Sequence, residues 1–116
     1  MRKNKIPTYL DGFIEIYRPL EVKNTFGAKE NIRSLSSMSF LYKLAYTQTY
    51  KRAQDMDFVE SIGRDLTLKV KVRMVSGIKN SDKVLLNDVL YDIVYVDEDR
   101  INKELYLYLE EMYELE

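Results

Sequence analysis

The chain has 116 residues, 13.8 kDa, with no histidine and no cysteine. That is the size of one domain, 1–116, able to bury about 65% of its unfolded surface. The missing residues exclude disulfides and thiolate chemistry and remove the commonest general base and zinc ligand. A formal charge of -1 gives no overall pull toward nucleic acid or an anionic membrane.

Apolar residues make up 46% and charged residues 32%, a globular rather than disordered balance. No apolar run approaches the ~18 residues of a bilayer-spanning helix. The opening "MRKNKIPTYLDGF" is basic but has no apolar core, so a secretory signal is not expected and the domain reads as soluble and intracellular.

In chain order, "GFIEIYRP" (12–19) sets Phe13, Glu15 and Tyr17 against Ile14 and Ile16, which predicts a first strand ended by Pro19. The connection "EVKNTFGAKENIRS" is polar and turn-rich. "LSSMSFLYKLAYTQ" then offers Met38, Phe40, Tyr42 and Leu44 at period two, a longer second strand. Residues 49–64 are charged and end near Gly63, a suitable residue just past a helix end. They predict a loop holding a short helix.

"LTLKVKVRM" alternates strictly. Leu66, Leu68, Val70, Val72 and Met74 are expected on the core, Lys69, Lys71 and Arg73 in solvent. "KVLLNDVLYDIVYVDED" reads as a hairpin about Asn87-Asp88, residue types that tolerate positive φ. "KELYLYLEEMYE" supplies a last strand, 104–113. Together these predict an all-β fold, a small antiparallel β-barrel or sandwich of about six strands with a long loop carrying a short helix.

No group of residues reads as catalytic, and no cofactor or metal is expected. The acidic run "VDEDR" lacks the spacing of a calcium loop and reads as a solvated turn. The row Lys69, Lys71, Arg73, with tyrosines nearby, could track a phosphate backbone, or be a solvated face balanced by neighbouring acids. In "LYLYLEEMY" the leucines belong on the core. Tyr106 and Tyr108 then fall on the second face, where paired aromatics suggest an interface.

The order of features resembles the phage head–tail joining family, the head-closure or stopper proteins of long-tailed phages. The residues carrying the likeness are the early strand with "NTFG", the strand "SMSFLYKLAYTQ", "TYKRAQDM", "LTLKVKVRM", "DKVLLNDVLYDIVYVDED" and "KELYLYLEEMYE". The chain departs from many relatives in having no tryptophan in the long strand and Asn87-Asp88 where a glycine is frequent.

The resemblance implies a virion protein of the neck, found in the host cytoplasm during assembly and not in a membrane. It implies a homo-oligomeric ring, commonly of twelve, whose subunits can be monomers when isolated. Its implied partners are a portal or adaptor protein, a tail or tail-terminator protein and packaged double-stranded DNA. It further implies that the loop after the long strand, 47–63, points into the channel, with Thr49, Tyr50, Lys51, Arg52, Gln54, Asp55 and Asp57 the expected channel residues. Such a loop should be removable without harm to the body.

Tyr106 and Tyr108, and the basic end Arg2, Lys3 and Lys5 opposite the five glutamates of "ELYLYLEEMYELE", are the expected interface residues. Another neck or tail-completion protein shares this architecture. A barrel binding single-stranded nucleic acid is the alternative of another class.

Overall fold

A computed structural model describes residues 9–20 and 38–114. It contains β1 (Gly12–Pro19), β2 (Met38–Thr49), α1 (Ala53–Ser61), β3 (Leu68–Arg73), β4 (Lys83–Leu86), β5 (Val89–Asp99) and β6 (Glu104–Glu114). All pairings are antiparallel, and the sheet closes on itself in the order β1-β2-β3-β6-β5-β4, with β4 returning to β1. Of the small all-β barrel or sandwich expected, the closed arrangement is what forms.

Alternation builds the interior. Ile14, Ile16, Leu44, Val70, Val72, Val84, Ile93, Leu105, Leu107 and Leu109 pack there, none more than 2% exposed. Closure gives each strand a neighbour on both sides over at least part of its length, the β1–β4 seam over three residue pairs.

The hairpin forms as expected. Asn87 and Asp88 have φ of 50° and 65°, the left-handed pair of a type I′ turn, and join β4 to β5. A side chain in that region is strained and glycine is not. Asp88→Gly should therefore raise stability by about 0.5 kcal/mol, seen as a melting temperature roughly 2 °C higher. A fall would mean that the Asp88 side chain holds the turn.

Three expectations about facing need correction. The β1–β2 register slips between Ile16 and Tyr17, whose partners Tyr42 and Phe40 flank an unmatched Leu41 in β2. Below that bulge the alternation inverts, because one extra residue turns the following side chains to the other face. Phe40 is therefore 53% exposed, and Met38 joins Tyr17 and Leu90 in a second, smaller cluster.

Leu66 lies before β3 begins and packs with Val59, Val94 and Tyr108 on the outer wall, not in the barrel. Lys69, expected in solvent, is 5% exposed. It does point outward as the alternation requires, but α1 lies over it.

Candidate functional site

The helix covers its patch of wall with two side chains. Asp55 and Val59, one turn apart on one face, are the buried residues of α1. Val59 meets Val94 and Tyr108. Asp55 reaches the lysine.

Local sequence explains why the helix starts where it does. Arg52 is the residue before the first turn, and its side chain has no acceptor to offer a cap. Asp55, at the third helical position, instead reaches back and accepts from the Arg52 backbone N–H at 3.0 Å. The helix ends with Gly63 at φ 75°, its N–H donating to Glu60 O while Arg64 N–H donates to Val59 O. That double closure needs a left-handed residue, and glycine supplies it.

Asp55 gathers a network. Its Oδ1 accepts from Tyr108 Oη at 2.9 Å and Arg52 Nη2 at 2.9 Å. Its Oδ2 accepts from Lys69 Nζ at 2.9 Å and Arg52 Nε at 3.1 Å. The Lys69 ammonium also lies 5.0 Å from the Tyr106 ring centroid and 5.1 Å from that of Tyr108, within cation–π range. The Arg52 hydrogen bonds, helped by those from Lys69 and Tyr108 against the cost of burial, hold the Asp55 carboxyl well below the usual carboxylate range. Burial and the bond to Asp55 push the Tyr108 hydroxyl up to about 12.

These contacts revise the expected site. Of the seven expected channel residues, Asp55 is turned into the wall and Thr49 belongs to β2, where its Oγ1 donates to Lys69 O at 3.2 Å. Tyr50, Lys51, Arg52, Gln54 and Asp57 remain exposed, Arg52 while paired with Asp55. The segment 47–63 is thus not a removable loop, because deleting it would strip Lys69 of its counter-charge.

Tyr108 is 3% exposed and lies beneath the helix, and Tyr106 is half-buried beside it, so neither is an open interface tyrosine. Arg2, Lys3 and Lys5 lie outside the described residues. At the acidic end, Glu104 is already engaged by Tyr9 Oη at 2.8 Å and by Lys71 Nζ at 3.6 Å, and Glu110 by Arg64. Burial, together with that bond, pushes the Tyr9 hydroxyl up to about 12.

The basic row is broken up in the same way. Lys69 is buried against Asp55, Lys71 pairs with Glu104, and Arg73 alone stays exposed. A continuous phosphate track is not presented. The expected "VDEDR" turn is instead the end of β5, with only Arg100 in the turn that follows; Asp99 accepts there from the Asn102 backbone and side chain, and no acidic cluster among the described residues could hold a metal ion.

What does stand open is apolar. Phe58 and Tyr95 are each 40% exposed and stack edge to face at 5.2 Å, continuing into Tyr108 at 5.4 Å. Ile62 is exposed at the end of the same helix. Nothing in the residue types flagged these, since Phe58 and Ile62 sit in a charged segment. The signal was available in their spacing from Asp55 and Val59 around a helix.

No protein-family model matches this chain, and no curated protein matches it. Its function must be argued from these surfaces.

Proposed function

We propose that the chain is a structural subunit of a phage neck, a head–tail connector that joins the portal and adaptor to the tail and helps retain packaged DNA. The observation that carries this reading is the sequence of elements. An early strand, a long strand, a helix-bearing segment, an arginine-bearing strand, a tight hairpin and a final strand close into one small barrel. That is the succession which the resemblance to head-closure proteins implies.

A rigid barrel with its helix pinned outside suits a load-bearing role. Its open aromatic surface suits burial against neighbours more than turnover of a substrate. In this role the exposed residues Tyr50, Lys51, Gln54 and Asp57 would face the channel, while Asp55 fixes the helix that carries Gln54 and Asp57.

The test is removal of the gene from its phage or prophage. DNA-filled heads without tails should accumulate, leak their DNA and regain tails when the protein is supplied. Tailed, infectious particles at the parental yield without it would refute the proposal.

A further inference from the structure

The barrel closes, but β5 runs past its neighbour. The last pair between β4 and β5 is Lys83 with Asp92, whereas β5 continues to Asp99 with β6 beside it on one side only. Beyond Asp92 no residue of β5 has a ladder partner on the β4 side among the described residues. Backbone N–H and C=O groups along this edge are left without a protein partner, and such a row is a template for a further strand.

The segment between β3 and β4 does not fill the place, because it is tied to β1 and β2. Tyr42 Oη donates to Ser76 O at 2.7 Å, and Arg18 Nη2 donates to Gly77 O at 2.7 Å. Arg18 Nε donates to Asp82 Oδ1 at 2.8 Å, and Lys79 N–H donates to Asp82 Oδ2 at 2.8 Å. Asp82, fully buried, so fixes the turn just before Lys83, and β4 cannot begin earlier along β5.

The free edge has a side-chain pattern of its own. Tyr95 points outward with its exposed ring edge to face on Phe58, and Val96 points inward onto the core. Asp97 is outward again, and its carboxylate has no hydrogen bond or ion pair among the described residues. Glu98 and Asp99 are engaged by Arg100 and Asn102. Lys71, which lies across Tyr106 from Asp97, is paired with Glu104.

We infer that this edge of β5 is a docking site for an extended segment of another protein, which adds as a strand antiparallel to β5 in line with β4. Main-chain bonds along the edge supply the contact, and side chains at alternate positions set the choice. Antiparallel order places the residue facing Asp97 two positions before the residue facing Tyr95. The segment that fits carries a lysine or arginine beside Asp97, an apolar residue beside Val96 and an aromatic one against Tyr95 and Phe58. A second copy of this chain fits less well, since β5 on β5 would set the acidic runs 97–99 of two chains on one short ladder.

The probe is a short capped peptide reading serine, threonine, lysine, valine, phenylalanine, threonine, added to isotope-labelled protein. Amide signals of residues 95–98 should shift saturably, and amide exchange along this stretch should slow. The same peptide N-methylated at valine and phenylalanine keeps every side chain but cannot lie in a ladder. It should bind at least about tenfold more weakly, the effect of one or two lost strand hydrogen bonds. Asp97→Lys protein, melting like the parent, should prefer the peptide with glutamate in place of lysine.

Equal binding of the methylated peptide would overturn the inference, since side-chain contact alone would then hold the peptide. So would the absence of saturable shifts, shifts centred away from β5, or an unchanged preference in Asp97→Lys. Slowed exchange of the same amides in concentrated protein without peptide would make a second copy the occupant, and would overturn it too.

Discussion

Val70→Asp is expected to abolish the folded state. Val70 is fully buried in the barrel interior, paired with Gln48 on one side and Leu107 on the other. Its cluster is built of aliphatic side chains and tyrosines, with no cation to meet a carboxylate. Stranding a charge there costs several kcal/mol, about the whole stability of an ordinary domain. Circular dichroism and a urea titration would read it as an unfolded or barely folded chain. A parental midpoint would mean that the register of β3 is wrong.

Asp55→Ala should cost about 3–5 kcal/mol, because it leaves Lys69 as a buried charge without its partner. A helix that buried only carbon would lose far less from an alanine in its first turn. The double variant Asp55→Leu/Lys69→Met removes both charges and should recover most of the loss, since a buried ion pair is often matched by apolar groups of similar volume. If the double variant were as unstable as Asp55→Ala, the pairing would not be the source of the loss.

The same network bounds the pH range. Asp55 is depressed in the fold, so its contribution is complete above the unfolded carboxylate pKa near 4 and is lost as pH falls through its lower folded value. Tyr108 is raised, so its contribution is complete below about 10 and is lost as pH rises toward about 12. Denaturant midpoints measured across pH should therefore fall at both ends in the parent. In Asp55→Leu/Lys69→Met the acid-side fall should be smaller.

The barrel was legible because its pattern is written in period two. "LTLKVKVRM" and "KVLLNDVLYDIVYV" place Val70, Val72, Val84 and Ile93 inward without any knowledge of their partners. The helix and its end at Gly63 were legible from charge and glycine. What lay on the outer wall was not. A lysine in an alternating row looks like a solvent residue, and only the return of α1 over β3 and β6 buries Lys69 on the outer wall. Tyr108 was misread for the same reason, since the open face expected for it is occupied by Asp55 and Val59. Phe40 was misplaced because a bulge depends on both strands, and one strand's sequence does not record its partner's count.

The irregularity in β5 bears on how this chain can change in length. Ile93 pairs with Leu109 and Tyr95 with Tyr108, so Val94 is one residue too many for the ladder. The surplus sets two neighbouring side chains outward together, Val94 against Val59 and Tyr95 against Phe58. Ile93 and Val96 keep their inward places on either side. Deleting Val94 would restore an unbroken alternation and leave the interior complete, yet remove the floor on which the helix rests. The number of residues in this strand is therefore dictated by what sits on the barrel and not by the barrel. Insertions and deletions here would be filtered by a constraint that the sheet alone does not impose.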